Sequence, residues 1–370
     1  MKKLGFGLMR LPLVDTNDNT AIDIEKTKAM ADEFLKNGFT YFDTAVPYHG
    51  KQSEVAFRES VVKRYPREAY TITDKLTLGM IDKAEHMQTF FDEQMERIGV
   101  EYLDYYLMHA LNKNYYEKAK EFGAFEFMSE KKAQGKIKHL GFSFHDTADV
   151  LDMILTEQPQ MEYVQLQINY LDWEDENVQS RKCYEVAVKH GKKVIIMEPV
   201  KGGALAKVSP KVEELFHNYT QEMSVASWAV RFAATHENVV IVLSGMSDTA
   251  QMQDNLSYMK DFVPMNEEEL QIVAKAADMI RNDIAISCTA CRYCVDDCPK
   301  QIAIPEYFKI YNDFKRFQGT RIQSNRQQYI RASEHHGKAS ECISCGKCEM
   351  HCPQKLSIRE LLKAVAENLE

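Results

Sequence analysis

Eight short apolar runs, each followed by a stretch of helical periodicity, fill the first 260 residues and constrain the fold more than any other feature. They are LGFGLM (4–9), FTYFDT (39–44), YTITDK (70–75), LDYYLM (103–108), KHLGFSF (138–144), YVQLQI (163–168), KVIIME (193–198) and VVIVLS (239–244). Most are apolar at successive positions, as strands covered on both faces must be. Helical patterns occupy 22–37, 52–64, 82–97, 115–134, 147–157, 177–190, 221–236 and 248–259. Asn37-Gly38, Ile98-Gly99, Gln134-Gly135 and His190-Gly191 punctuate helix ends, since glycine accepts the left-handed turn that closes a helix. Eight such units in about 250 residues predict a closed α/β architecture, the (β/α)8 TIM barrel. An open doubly wound sheet is the alternative, but it needs no eightfold regularity, and no GxGxxG follows a strand.

A different pattern takes over further along. Cys288, Cys291, Cys294 and Cys298 precede Pro299, and Cys342, Cys345, Cys348 and Cys352 precede Pro353. Both copies read C-x2-C-x2-C-x3-C-P, the run that holds iron–sulfur clusters in bacterial ferredoxins. A cubane cluster needs thiolates on several iron corners, and a chain bending back every third residue offers three from one loop. In two-cluster ferredoxins the fourth cysteine of each run ligates the other cluster. That rule assigns Cys288, Cys291, Cys294 and Cys352 to one [4Fe–4S] cluster, and Cys342, Cys345, Cys348 and Cys298 to a second. Structural zinc takes two cysteine pairs with a longer gap, and a disulfide framework belongs to short secreted chains. The ninth cysteine, Cys183, lies in a helical stretch and reads as a buried, unreactive thiol.

The expected organisation is a barrel over 1–260, a linker helix over 261–286, and a small α-helical two-cluster ferredoxin-like domain over 287–370. Between the cysteine runs, 299–341 is aromatic and basic, with Lys309, Lys315, Arg316, Arg321, Arg326 and Arg331. Such a stretch reads as a helical insert with a solvated face, or as a docking surface for an acidic ferredoxin- or flavodoxin-like electron carrier. The net charge of −9 argues against nucleic acid as a partner. MKKLGFGLMRLPLV begins like a signal peptide, but Arg10 and Pro12 interrupt it and no small-residue cleavage site follows. No stretch approaches the roughly 20 apolar residues needed to span a bilayer. A cytoplasmic protein with no membrane partner is expected, and low-potential clusters suit that reducing interior.

Polar residues at the C-terminal ends of barrel strands are where catalysis is built. FDTAVPYHG places Asp43 at the rim of the second strand and Tyr48 in the loop after it; TITDK supplies Lys75 and YYLMHAL supplies His109. Singly, Asp43 and Lys75 read equally well as a plain buried ion pair, His109 as a core histidine and Tyr48 as a packed aromatic. As a set, in type, order and strand assignment, the four match the tetrad of the aldo/keto reductases. The chain resembles that family over about its first 260 residues, and as a whole it is similar to the subgroup with a fused ferredoxin-type domain. The resemblance implies that Tyr48 is the general acid for an aldehyde or ketone, and the base when the alcohol is oxidised. Lys75 would be the cation that lowers the phenol's pKa, Asp43 would hold Lys75, and His109 would orient or polarise the carbonyl.

The resemblance also implies a nicotinamide cofactor. Ser143 and Gln167 fit groups that bond its carboxamide, Met197 lies beside the ring, and Gly245, Gln251, Asp254 and Asn255 fall in the segment LSGMSDTAQMQDNL (243–256) that would hold the remainder. Three positions depart from the family pattern. Phe144 stands where an Asn is common, Met197 where a Tyr often stacks on the ring, and Gln251 where an Arg grips the 2′-phosphate of NADPH. The neutral Gln251 removes a charge-assisted contact, which weakens the case for NADPH and admits NADH. Lys201-Gly202-Gly203 reads either as a pyrophosphate cradle or as a plain loop. The substrate pocket would be shaped by 110–118 and 199–219, with Trp173 and Tyr115 as candidate walls. A hydride carries two electrons whereas a cluster accepts one, so a flavin-linked electron-transfer enzyme is the alternative. A binding protein with an inert barrel is the third reading, and the intact tetrad speaks against it.

Overall fold

The computed structural model describes residues 2–16, 18–283, 285–316 and 322–370. Arg321 of the basic stretch, Ile284 of the expected linker and the side chain of Arg316 lie outside the described residues. Eight strands, β1 (Leu4–Gly7), β2 (Tyr41–Asp43), β3 (Thr71–Leu76), β4 (Leu103–Leu111), β5 (Ile137–Phe144), β6 (Tyr163–Gln167), β7 (Lys193–Met197) and β8 (Val239–Ser244), pair in chain order. All neighbours are parallel, and β8 returns to β1 with Leu4 opposite Val242 and Phe6 opposite Ser244. That last pairing closes the barrel and disposes of the open sheet.

Two helical stretches differ from expectation. The continuous pattern over 115–134 is two helices, Lys113–Glu121 and Ala124–Ala133, because Gly123 takes φ 65° and turns the chain between them. Residues 199–219, expected as loop, contain a helix at Pro210–Tyr219. Proline at a first helical turn sacrifices an N–H that has no intrahelical partner anyway, so Ser209-Pro210 was a legible start signal.

The register of the barrel builds the site. Tyr41, Leu107, Tyr163, Ile195, Ile241 and Leu243 form one buried interior layer. Side chains repeat a face every second residue, so two positions further along β2, β4, β6 and β7 come Asp43, His109, Gln165 and Met197. The apolar layer therefore plugs the barrel and supports a polar layer at the C-terminal end of the strands. Gly141 is what makes room for the Tyr163 ring: a Cβ there would stand 2.4 Å from the Tyr163 carbonyl oxygen and 2.9 Å from the ring. The alternate positions face the helices, where Phe34 stacks with Phe39 and Phe42 meets Phe57 at 5.2 Å.

The chain forms two compact units, one of residues 1–174, 179–199 and 227–266, the other of 175–178, 200–226 and 267–370. In the second, helices Ile304–Arg316, Ile322–Ser333 and Ile358–Leu369 enclose a core that includes Tyr307, Phe308, Tyr311, Tyr329, Leu362 and Val365. Among the described residues of the insert between the cysteine runs two helices form, and Tyr307, Phe308, Tyr311, Phe314 and Tyr329 turn into this core. Arg326 is drawn into the same packing, donating to the carbonyl of Asn368 at 3.3 Å. Among the described residues, no helix is long and apolar enough to cross a membrane.

Candidate active site and iron–sulfur sites

Asp43 and Lys75 come from adjacent strands, and their inward side chains meet as an ion pair at 2.6 Å with Lys75 only 1% exposed. Lys75 Nζ donates also to the Thr44 carbonyl at 2.8 Å and lies 3.4 Å from the Tyr48 hydroxyl. Tyr48 reaches this point because the chain after β2 turns sharply, with His49, Gly50 and Lys51 all at positive φ. The His49 ring ties that turn down: its Nε2 accepts from Leu11 N at 3.1 Å, and its Nδ1 lies 2.7 Å from the Asn19 carbonyl. His109, at the end of β4, sets its ring edge-on to Tyr48 with centroids 6.2 Å apart, and its Nδ1 lies 2.8 Å from Thr77 Oγ1. The structure brings together all four residues that the sequence singled out. Thr44, Thr77 and His49 are further members that residue type alone did not mark.

Burial sets the protonation states here. It pushes the Asp43 carboxyl upward, and Lys75 opposes that shift. His109 is driven well below the usual imidazole range, first by burial and then by Lys75 and His145, so its ring is neutral. Burial holds the Tyr48 phenol well above its ordinary value, and the carboxylates of Asp43, Asp74 and Glu198 push the same way. The resemblance implied a Tyr48 lowered by Lys75; the geometry gives the opposite direction. The Lys75 ammonium is already engaged by Asp43 at closer range, and removing the phenol from water dominates.

The eight cysteines divide into two cavities. Cys288, Cys291, Cys294 and Cys352 line one, and Cys298, Cys342, Cys345 and Cys348 line the other, in similar spaces of about 310 and 330 Å³ that both open to solvent. These are the crossed sets that the ferredoxin rule assigned. Among the described residues no group of three or more His, Cys, Asp or Glu is disposed to hold a single metal ion. Burial raises the Cys294 thiol, with Cys291, Cys288 and Cys352 adding to the shift. Cys348 is pushed up to about 11 by burial, Glu349, Cys342 and Cys298. Metal binding requires deprotonated thiols, so iron would have to offset these upward shifts of Cys294 and Cys348. Cys183 stands apart, buried, with its Sγ 3.8 Å from the Asp146 carbonyl.

The aldo/keto reductase family matches residues 3–278, and a 4Fe-4S dicluster domain matches residues 287–356. The chain belongs to the aldo/keto reductase family. It is 21% identical to L-galactose dehydrogenase of Arabidopsis thaliana over 277 residues, covering 68% of this chain and 83% of that protein. It is 29% identical to an aldo-keto reductase of Mycobacterium avium (strain 104) over 166 residues, 41% of this chain and 54% of that one. Among solved structures, an aldo-keto reductase of Klebsiella pneumoniae in complex with NADPH superposes with a TM-score of 0.58 at 17% identity, over 74% of this chain and 95% of that one. The holo form of an aldo-keto reductase from Bacillus halodurans gives 0.60 at 20%, over 74% and 91%. These superpositions establish the shared barrel fold.

In this aldo/keto reductase the residues expected at the cofactor differ in how they are held. Ser143 faces inward and its Oγ accepts from Ala110 N at 2.7 Å. Gln167 donates through Nε2 to Asp172 Oδ2 at 2.8 Å, and Asn169 donates to the same oxygen at 2.8 Å. That network orients the Gln167 amide; Asn169 and Asp172 escaped the sequence reading because polar residues after a strand look like any loop. Met197 is half-buried at the end of β7. Gly245 packs against the Arg10 side chain, where a Cβ would lie 3.3 Å from Arg10 Cβ. Gln251 is turned back on its own helix start, accepting from Ser247 N at 2.9 Å and donating to Asp248 at 3.0 Å. Asn255 is 5% exposed and donates to Ser244 Oγ at 2.6 Å, while Asp254 is half-buried one position before it. Phe144 packs near Phe142 on the face opposite Ser143, with the ring centroids 6.2 Å apart. Trp173, a candidate pocket wall, is stacked on His236 at 4.2 Å.

Proposed function

We propose that this aldo/keto reductase reduces a small-molecule aldehyde or ketone, or oxidises the corresponding alcohol, with a nicotinamide dinucleotide. The observation that carries the reading is the Tyr48 hydroxyl held 3.4 Å from a Lys75 ammonium that Asp43 and the Thr44 carbonyl keep in place. A nicotinamide lodged against Ser143, Gln167 and Met197 would supply the hydride. Gln167, its amide oriented by Asp172, presents an oxygen suited to a carboxamide N–H, and Ser143 adds a hydroxyl. Neutral Gln251, committed to Asp248, favours NADH over NADPH.

Tyr48, kept protonated by burial, gives its proton to the carbonyl oxygen as negative charge develops there. Lys75 stabilises the phenolate left behind, which is where its charge matters most. His109, being neutral, offers a ring N–H to the same oxygen while Thr77 engages the other nitrogen. In the oxidative direction Tyr48 has to lose its proton first and then accepts the hydroxyl proton of the alcohol. The eight cysteines would hold two [4Fe–4S] clusters in the crossed sets, each supplying one-electron chemistry.

Tyr48→Phe lowers kcat for carbonyl reduction by about 10²–10⁴-fold with little change in KM. Unchanged turnover in steady-state assays with NADH and NADPH would discard the acid role. A flavin-linked reading is favoured by one observation, a one-electron module joined to a two-electron barrel. The absorption spectrum of anaerobically purified protein separates the two: broad cluster bands alone support the nicotinamide reading, and resolved flavin bands support the other.

A further inference from the structure

The two cysteine cavities match in sequence but differ in their charged surroundings. Cys298-Pro299-Lys300 and Cys352-Pro353-Gln354 are equivalent positions of the duplicated run. Lys300 lines the cavity of Cys298, Cys342, Cys345 and Cys348 and is exposed; Gln354 lines the cavity of Cys288, Cys291, Cys294 and Cys352 and is 6% exposed. At this position the first cavity has a lysine and the second a neutral amide, while the exposed Arg292 of its own run also lines the second. That amide is not left neutral in its contacts. Lys201, 2% exposed, donates from Nζ to Gln354 Oε1 at 2.8 Å.

The turn that carries Lys201 is shaped for this approach. Lys201 has φ 47° and Gly202 φ 63°, and a Cβ on Gly202 would stand 2.3 Å from the Thr289 carbonyl oxygen. Only glycine permits that closeness. Thr289 directly follows Cys288 and lines the same cavity as Gln354. One short turn therefore touches the cavity wall twice, beside the first cysteine of one run and beside the last of the other. At the other cavity the lining cations are exposed: Lys300 faces solvent, and so does Arg359, which lies 2.8 Å from Glu349.

We propose that Lys201 is a potential-setting residue: its buried ammonium raises the reduction potential of the cluster held by Cys288, Cys291, Cys294 and Cys352, making the two clusters unequal. The inference rests on the cluster-binding reading above. Reduction adds one electron, and so one negative charge, to the cluster, and a nearby cation stabilises the reduced form more than the oxidised one. A buried charge is screened far less than one in water, so Lys201 outweighs Lys300 and Arg359. An electron entering the domain from any one-electron donor then rests preferentially on the cluster beside Lys201.

The test is a dithionite titration of the anaerobically purified full-length protein followed by electron paramagnetic resonance, with iron and sulfide analysis alongside. Wild type shows two separate one-electron waves. Lys201→Gln retains an N–H for Gln354 but no charge, and Gln354→Glu sets a carboxylate against the ammonium. Both move one wave, the higher, to lower potential by about tenfold in the reduced-to-oxidised ratio, which is about 59 mV for one electron; Lys201→Arg leaves it in place. Full iron with both waves unmoved overturns the proposal. Loss of half the iron in both variants also overturns it, by making Lys201 a structural strut. A wild-type protein that binds no iron at all defeats the cluster reading itself, a result distinct from either.

Discussion

In the barrel, Asp43 and Lys75 meet at 2.6 Å because they occupy adjacent strands whose register leaves no other place for them. In the cysteine-rich unit, Cys352 joins Cys288, Cys291 and Cys294 only because the chain returns after two intervening helices and a second cysteine run. In the first site Asp43 and Lys75 are paired by the polypeptide itself, and an apolar layer lies beneath. The second gathers like groups in a buried space: burial first, and then neighbouring thiols and Glu349, push Cys294 and Cys348 upward. A site of complementary partners is preorganised by folding. A site of mutually repelling ligands needs its metal to be stable.

The largest effect that this contrast predicts is on iron removal. Anaerobic chelation leaves the barrel protected from protease, while 287–370 becomes cleavable, because cluster binding and folding share free energy there. Limited proteolysis read by mass spectrometry checks this, and equal protection of both regions would erase the contrast. Within the barrel, Lys75→Met strands the Asp43 carboxylate and costs about 3–5 kcal/mol of stability. Adding Asp43→Asn recovers part of that loss in denaturant melts. If the double variant were no more stable than the single one, Asp43 and Lys75 would not form a unit of stability.

The smallest effect is a pH dependence belonging to the barrel alone. His236 is stacked on Trp173, its Nε2 has no hydrogen-bond partner among the described residues, and burial lowers its pKa to about 4. The unfolded chain takes up this proton below its ordinary pKa of 6.5, whereas the folded one waits until about 4. Its contribution is therefore intact above pH 6.5 and is lost as pH falls toward 4, by up to about 3 kcal/mol. His236→Phe flattens the fall in barrel stability across that window. An unchanged slope would assign it to other groups.

Much of this molecule was legible in one dimension. Strand positions follow from apolar runs a few residues long, and seven of the eight strands end within two residues of the sequence expectation. β4 runs on to Leu111, three residues past the apolar run, with His109 an inward strand residue. The gathering of Asp43, Tyr48, Lys75 and His109 was legible because barrel strands present polar groups at a known end, and the two groupings of thiols because the run and its partner rule are both matters of spacing. Gly123 was harder, since one glycine within a helical pattern marks a weak point without saying that the chain turns there.

What remained belongs to three dimensions. The direction of the Tyr48 shift depends on how much water is removed from around the phenol, and no residue type encodes burial. The Asp172 hold on Gln167 depends on the path of the loop after β6. Lys201 and Gln354 lie 153 residues apart, so nothing in KGG or in CPQ taken alone points to the other. The sequence by itself determined which elements form and which groups are offered, because periodicity and spacing are local. Tertiary structure decided which groups meet and how strongly charge is felt, because pairing across the chain and exclusion of water exist only once it has folded.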